Sequence, residues 1–94
     1  MRIVWDEPKR HTNLREHRLD FADLEKDFDF TASMIVTAYA SRFGAGRLKA
    51  VGDFRGTIVT VVFSALGSEA VSIISFRPSS LKERRAYAQS HSPG

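Results

Sequence analysis

Residues 72–87 read SIISFRPSSLKERRAY, and this stretch decides how the C-terminal part of the chain folds. It begins with the alternation of a β-strand, which puts alternate side chains on opposite faces. One face is expected to carry Val71, Ile73, Ser75 and Arg77, and the other Ser72, Ile74 and Phe76. Pro78 ends pairing, and Ser80 with Glu83 three residues on forms the S-x-x-E capping box of a helix over residues 81–89. The stretch therefore predicts a strand followed directly by a capped helix.

The residues before this stretch show the same period of two. Strands are predicted over residues 33–40, 47–52, 57–64 and 70–76, with turns over residues 41–46, 53–56 and 66–69. The strand over 57–64 is almost wholly apolar or β-branched, which is typical of a central strand buried on both faces. Strands joined by such short connections are most simply antiparallel.

The N-terminal third is predicted to be mainly helical. A short strand over residues 2–5 precedes a helix capped by Asp6, which runs to about residue 17 with Pro8 in its first turn. Asp20 caps a second helix to about residue 29. The predicted fold class is α+β: a small curved antiparallel sheet of about four to five strands, flanked by two N-terminal helices and one C-terminal helix. We expect one domain over residues 1–89 and a disordered tail over residues 90–94.

Composition excludes several classes of protein. The 94 residues include no cysteine, and the three histidines lack the spacing of a zinc motif, so a metal-dependent mechanism is disfavoured, with carboxylates as the remaining metal ligands. No cofactor is expected. No signal peptide is recognisable at the start, and the longest apolar run, residues 58–63, is far too short to span a bilayer. We therefore expect a cytoplasmic protein without a membrane partner.

Charge is unevenly distributed along the chain. Residues 1–30 hold six Lys/Arg and eight Asp/Glu, a net of −2, whereas residues 31–94 hold eight against three, a net of +5. Together these give the overall charge of +3. A basic C-terminal part favours an anionic partner such as nucleic acid, although many basic domains bind nothing acidic.

The end of the last strand could hold a phosphate. Arg77 precedes a helix N-terminus, where unpaired backbone N–H groups favour anions, and a guanidinium can grip a phosphate with two parallel hydrogen bonds. Arg77, Ser79 and the helix start thus form a candidate phosphate cradle. Alternatively, Arg77 pairs with a carboxylate. Arg47 and Lys49 share one strand face, where they repel unless an anion lies over them or the edge is solvated.

Two helices carry further candidates. Glu83, Arg84 and Tyr87 are neighbours on the last helix, where Tyr87 could stack on a base or donate a proton, or simply pack on the sheet. The first helix carries a polar stripe of Lys9, Asn13 and His17. His17 could act as a general base, or it could be a structural residue at the helix end.

Taken together, these residues resemble the BrnT family of ribonuclease toxins from type II toxin–antitoxin systems. The opening residues Trp5, Asp6, Lys9, Asn13, His17 and Phe21 look like that family's W-D-x-x-K-x-x-x-N-x-x-K-H-G-V-x-F signature. Residues 73–77, followed by Glu83, Arg84 and Tyr87, look like its R-I-I-S-A-R…E-R-x-x-Y signature. Arg47 and Gly52 match a weaker central R-x-x-x-x-G. The resemblance covers essentially the whole chain, with its motifs in the right order.

The resemblance implies a fold like that of RelE-type toxins and an endoribonuclease that cleaves RNA without a metal ion and inhibits translation. It also implies a BrnA-like antitoxin, which covers the toxin in a hetero-oligomer and binds DNA. On this scheme Arg77 and Arg47 stabilise the phosphate, and His17, Glu83, Lys9 and Tyr87 compete for the proton-transfer roles. The expected RNA-binding residues are Lys49, Ser79, Arg84 and Asn13.

The chain departs from the family pattern at several positions. Glu16 replaces a lysine, Arg18 a glycine that ends the helix in a left-handed conformation, Ser72 an arginine and Phe76 an alanine. The last strand thus has one positive charge fewer than the family pattern, and the first helix has a negative charge in place of a positive one. An alternative function is therefore a catalytically attenuated or inactive module that binds an antitoxin-like protein or RNA. A plain DNA-binding protein ranks last, because no basic recognition helix is evident.

Overall fold

Five strands form one sheet in the computed structural model, which describes residues 1–39 and 46–91 apart from the side chain of Tyr39. The strands are β1 (Arg2–Trp5), β2 (Met34–Tyr39), β3 (Arg47–Phe54), β4 (Thr57–Leu66) and β5 (Ala70–Pro78). Their order in the sheet is β1-β5-β4-β3-β2. The predicted α+β class is confirmed, and β4 is the central strand. The predicted turn over residues 41–46 falls mainly on residues outside those described.

Four strands pair antiparallel, as their short connections predict, but β1 runs parallel to β5. The direction of β1 is free of the hairpin constraint, because residues 6–69 separate it from its partner β5. The β3–β4 connection is a two-residue turn in which Arg55 (φ 53°) and Gly56 (φ 87°) are both left-handed. Such a turn matches the right-handed twist of the two strands it joins.

Three helices flank the sheet: α1 (Glu7–His17), α2 (Leu24–Asp27) and α3 (Leu81–Ser90). The second predicted helix is wrong in extent. A 3₁₀ turn over Phe21–Asp23 leads into α2, which ends at Asp27, and another 3₁₀ turn covers Phe30–Ala32. Phe28 is extended because both it and Phe30, two residues apart, turn into the core. A continuous helix cannot put side chains two apart on one face.

The core lies between one face of the sheet and residues 19–30. Buried side chains from this segment pack on those of the strands: Phe21, Leu24, Phe28 and Phe30 against Ala50, Phe54, Val59, Val61, Phe63, Val71, Ile73 and Phe76. Gly52 is needed for this packing. A Cβ atom there would lie 3.2 Å from the Phe28 ring and 3.1 Å from the Ser33 Cβ.

A β-bulge at Ile74 corrects the predicted faces of β5. Ser75 pairs with Val62 and Ile73 with Phe63, so Ile74 is the extra residue. Beyond the bulge the alternation is inverted. Phe76, opposite Val61, therefore joins the core, and Arg77, opposite Thr60, points to the other face. The bulge thus places Arg77 on the face that α3 covers.

The predicted bounds of α1 and α3 agree with the structure to about one residue, but the predicted side-chain cap at Asp6 is not formed. Asp20 accepts a hydrogen bond from the Ala22 N–H, whereas Asp6 precedes α1 without a side-chain capping bond. Arg18 keeps the left-handed conformation (φ 58°) that favours glycine, and its N–H bonds the Leu14 carbonyl at 2.9 Å. The last helix, α3, extends to Ser90. The Nε2 atom of the next residue, His91, lies 3.2 Å from the Ala32 carbonyl oxygen. The rest of the predicted tail, residues 92–94, lies outside the described residues.

No helix in the described part of the chain combines the length and apolar character that crossing a bilayer requires.

Candidate active site

The N-terminus of α3 turns the Glu83 side chain back towards the sheet. The Glu83 N–H donates to the Ser80 hydroxyl at 3.1 Å, and the Ser80 N–H donates to Glu83 Oε1 at 2.8 Å. The predicted capping box is therefore formed. Because Glu83 lies in the first turn, its carboxylate reaches over β4 and the end of β5, where it is only 9% exposed.

Five hydrogen bonds converge on the Glu83 carboxylate. Arg77 binds both of its oxygens, Nη1 to Oε1 at 2.7 Å and Nη2 to Oε2 at 2.9 Å. Lys49 Nζ lies 3.0 Å from Oε2. Thr60 Oγ1 donates to Oε1 at 3.0 Å, and its own neighbour is the Ser79 hydroxyl at 2.7 Å. We call Lys49, Thr60, Arg77, Ser79, Ser80 and Glu83 the Glu83 cluster.

These contacts fix the ionisation of the cluster. The hydrogen bonds from Arg77 hold the pKa of Glu83 far below its usual range, and those from Ser80, Lys49 and Thr60 add to this effect against the opposing effect of burial. The same pairing raises the pKa of Arg77. Glu83 is therefore an anion at neutral pH. With two cations around one carboxylate, the cluster keeps a net positive charge.

Beyond the Glu83 cluster, the same face of the sheet carries half-buried and mainly polar side chains. Register places Val62, Ser64, Ser72 and Ser75 on the same face as Thr60 and Arg77. The alternation of β3 puts Arg47 on this face with Lys49. Arg47 is half-buried there and makes interactions of its own. Small hydroxyl side chains bordered by cations form a surface on which an extended polyanion fits.

The structure brings together four of the predicted site residues, Arg77, Lys49, Ser79 and Glu83, but in a different arrangement. In the predicted cradle a phosphate would occupy the space between Arg77, Ser79 and the helix start. Here the Glu83 carboxylate occupies it. Arg77 therefore pairs with a carboxylate, as in the alternative prediction, and this carboxylate is buried. The remaining donors are on the guanidinium and the ammonium, whose side chains are 30% and 28% exposed.

Asn13 lies elsewhere and is buried. Its amide nitrogen donates to the carbonyls of Leu19 at 2.9 Å and Phe76 at 2.7 Å. Its amide oxygen accepts the Phe76 N–H at 2.9 Å. Asn13 therefore pairs with β5 beyond the end of β1, as a neighbouring strand would. Both amide hydrogens are used within the fold, which leaves none for RNA.

His17 and Lys9 lie at different places along α1. His17 lines a cavity with Leu19, Phe54 and Val59, on the core face of the sheet and thus opposite Arg77. Lys9 is exposed beside a groove of about 290 Å³ between α1 and β5. The groove is also lined by Thr12, Asn13, Glu16, Ile74 and Ser75, and Ser75 belongs to the polar sheet face.

Tyr87 and Arg84 lie on α3 outside the cluster. The Tyr87 ring stacks on His91, with ring centroids 4.0 Å apart, and it lines a groove with Glu25, Asp27, Asp29 and Asp53. Lys26 also lines this groove, but its four carboxylates outnumber that one lysine, which disfavours an RNA phosphate there. Arg84 is exposed on the surface of α3. No group of three or more His, Asp or Glu side chains within residues 1–39 and 46–91 is placed to hold a metal ion.

Thr60 is the cluster residue that sequence reasoning missed. It lies fully buried in β4 between Val59 and Val61. A hydroxyl in an otherwise apolar central strand signals a buried hydrogen-bond partner, because an unpaired one is costly. The sequence, however, does not identify that partner, which is 23 residues away.

Two comparisons, one of sequence and one of structure, relate the chain to known proteins. The model of a family described as the ribonuclease toxin BrnT of a type II toxin–antitoxin system matches residues 5–83, which include the whole Glu83 cluster. Among solved structures, the chain is similar to the crystal structure of the ribonuclease toxin BrnT from Brucella abortus, with 47% sequence identity and a TM-score of 0.72. This similarity covers 85% of the present chain and 97% of the Brucella chain. No curated protein matches the sequence.

Proposed function

The chain belongs to the BrnT family of ribonuclease toxins of type II toxin–antitoxin systems, and from this premise we propose that it cleaves RNA internally without a metal ion. The observation that carries the proposal is the Glu83 cluster, with two partly exposed cations beside an open polar sheet face. Such cations can neutralise the charge that gathers on a phosphate during cleavage, which is what a metal ion would otherwise do.

In the proposed reaction the ribose 2′-hydroxyl attacks the adjacent phosphorus atom, and the bond from phosphorus to the 5′-oxygen breaks. The 2′-hydroxyl loses its proton and the departing 5′-oxygen gains one. The products are a 2′,3′-cyclic phosphate and a 5′-hydroxyl end. Cleavage therefore needs cations on the phosphate and groups that move two protons.

We assign phosphate binding to Arg77 and Lys49, with Arg47 farther along the same face. Two of the five Arg77 N–H groups are not used by the contacts to Glu83 and the Pro78 carbonyl. Glu83 serves to position these cations. Its lowered pKa makes it a poor proton acceptor at neutral pH.

Lys9 is the proton-transfer candidate that best fits the geometry. It lies across a groove from Ser75, on the strand that carries Arg77. An ammonium there can donate a proton to the departing 5′-oxygen. The cavity beside His17 opens on the other face of the sheet, and the acidic groove beside Tyr87 is unsuited to a phosphate.

The family also implies a protein antitoxin, and we propose that a BrnA-like protein binds this chain in a hetero-oligomer and represses its own gene through a DNA-binding domain. The RNA substrate and inhibition of translation place the activity in the cytoplasm.

A second candidate function is a module that binds RNA or antitoxin without cleaving RNA. Two observations favour it. Ser72, where the family has an arginine, lies opposite Ser64 on the open face. Glu16, where the family has a lysine, lines the Lys9 groove. Both departures remove positive charge from the surface on which RNA would lie.

Induced expression in a bacterial host separates these functions. We expect the wild-type chain to slow growth and its purified form to cleave RNA in EDTA, leaving 5′-hydroxyl ends. Arg77→Ala should not slow growth and should cleave RNA about 10²–10³-fold less efficiently. Arg85→Ala, which removes an exposed arginine of α3 outside the cluster, should behave like wild type. If the wild-type chain leaves RNA intact but binds it with a salt-dependent affinity, the chain is a binding module.

A further inference from the structure

Thr60 is one of three buried polar side chains in the described part of the chain, together with Asn13 and Glu83. It has no exposed surface at all. Its hydroxyl oxygen lies between two partners, Glu83 Oε1 at 3.0 Å and Ser79 Oγ at 2.7 Å. The strand around it is apolar, so this hydroxyl has no access to water and depends on these two contacts.

Counting hydrogens fixes the direction of these bonds. A hydroxyl carries one hydrogen, and a carboxylate can only accept, so Thr60 donates to Glu83. Ser79 must then donate to Thr60. The chain of donors runs from Ser79 through Thr60 to Glu83, and Arg77 binds both oxygens of the same carboxylate. Ser79 consequently has no hydroxyl hydrogen left for a phosphate.

We propose that Thr60 is a positioning residue for RNA cleavage, which through its hydrogen bond to Glu83 fixes the orientation of the Arg77 guanidinium. This inference rests on the proposed function. The Glu83 carboxylate has two oxygens, and a two-pronged contact with a guanidinium keeps its geometry only if the carboxylate plane is fixed. The Ser80 N–H holds Oε1 from the backbone side, and Thr60 holds the same atom from the sheet.

The strand itself does not need a hydroxyl at this position. Valine has nearly the volume and the same branching as threonine, and the neighbouring positions in β4 are valines. Thr60→Val therefore keeps the strand but removes the bond to Glu83 and leaves Ser79 without its acceptor. Thr60→Ser keeps the hydroxyl and gives up one methyl group.

The test compares Thr60→Val, Thr60→Ser and a matched control, Thr57→Val, which makes the same change at the exposed start of β4. Cleavage of a short RNA is measured in EDTA, with kcat and KM determined separately. We expect Thr60→Val to lower kcat about tenfold, the typical value of a hydrogen bond to a charged group. Thr60→Ser and Thr57→Val should stay within about twofold of wild type.

A second measurement detects the proposed contact directly. The side-chain carboxyl carbon of Glu83 is followed by NMR as the pH is lowered, and the Arg77 Nε–H signal is followed at neutral pH. We expect Thr60→Val to move the Glu83 titration to higher pH and to broaden the Arg77 signal, and we expect Thr60→Ser to restore both. Thermal unfolding shows whether each variant is folded, and if Thr60→Val has lost its fold, Thr60→Ala, which also lacks the hydroxyl, takes its place.

Two results would overturn the inference. One is that Thr60→Val cleaves RNA with the wild-type kcat. The other is that the Glu83 titration and the Arg77 signal are the same in Thr60→Val and wild type. If the wild-type chain does not cleave RNA, the proposed function fails, and the two NMR signals still decide whether Thr60 orients Glu83 and Arg77.

Discussion

Two buried polar side chains, Asn13 and Glu83, hold the helices on either side of the sheet, and they do so in different ways. Asn13 makes three hydrogen bonds to backbone groups, two to Phe76 of β5 and one to Leu19. Glu83 joins α3 to the sheet through four, and three of these come from the charged side chains Arg77 and Lys49.

The difference separates a structural contact from a functional one. Around Asn13 both amide hydrogens have backbone acceptors, so the side chain has no donor left for a ligand. Around Glu83 the cations outnumber the carboxylate, and both are partly exposed. Neutral packing would stabilise the helix at least as well as a buried ion pair. We infer that the charge of the Glu83 cluster has a functional role, and that Asn13 has a structural role.

The strongest test of this comparison on the structural side is Asn13→Ala. The change leaves the Phe76 N–H and two carbonyls without partners, so we expect the free energy of unfolding to fall by about 2–4 kcal/mol. Urea denaturation measures this fall. Cleavage per folded molecule should stay within about threefold of wild type. A large loss of activity in a variant that is still folded would show that Asn13 also contacts the substrate.

On the functional side of the comparison, Lys9→Ala tests whether Lys9 transfers a proton during cleavage. If Lys9 donates the proton to the 5′-oxygen, its removal should lower kcat about 100-fold, at the lower end of the range for general acids. His17→Ala and Tyr87→Phe should each lower kcat less than about threefold. Steady-state cleavage of a short RNA measures all three. A stronger effect of His17→Ala than of Lys9→Ala would reassign the proton-transfer role.

Acid should affect the two regions differently. The folded pKa of Glu83 lies below its ordinary value of 4.5, so its contribution to stability is complete above that pH and is lost as the pH falls below it. We expect Glu83→Gln to lower the free energy of unfolding by about 1–3 kcal/mol at pH 7. We also expect stability to fall less steeply below pH 5 in this variant than in wild type, because Glu83 no longer titrates. Asn13 does not ionise, so Asn13→Ala should keep the wild-type slope.

The smallest expected effect is at the end of α1, five residues beyond Asn13. Arg18 has a left-handed backbone (φ 58°), which is unfavourable for a residue with a Cβ atom. Arg18→Gly should raise the free energy of unfolding by about 0.5–1 kcal/mol, because glycine relieves the strain but loses more entropy on folding. The same urea titration measures it. A fall in stability would mean that the arginine side chain stabilises the fold by more than its backbone conformation costs.

Local signals in the sequence predicted much of this structure. The Ser80–Glu83 spacing predicted the capping box, the period of two predicted the strands, and the terminal motifs indicated the family. The features that could not be predicted from the sequence depend on contacts between residues far apart in the chain. Asn13 meets Phe76 and Thr60 meets Glu83 far along the chain, and the alternation of β5 looks regular on both sides of Ile74. The bulge is therefore invisible in the sequence, although it decides which face Arg77 occupies.

The central claim, that the charge of the Glu83 cluster serves RNA cleavage, is tested most directly by kcat/KM of wild type and Arg77→Ala in EDTA at one fixed salt concentration. We predict that the variant, shown to be folded by circular dichroism, loses about 10²–10³-fold in kcat/KM, the cost of removing one preorganised donor to a developing anion. Equal values of kcat/KM for the folded variant and the wild-type protein would contradict the account.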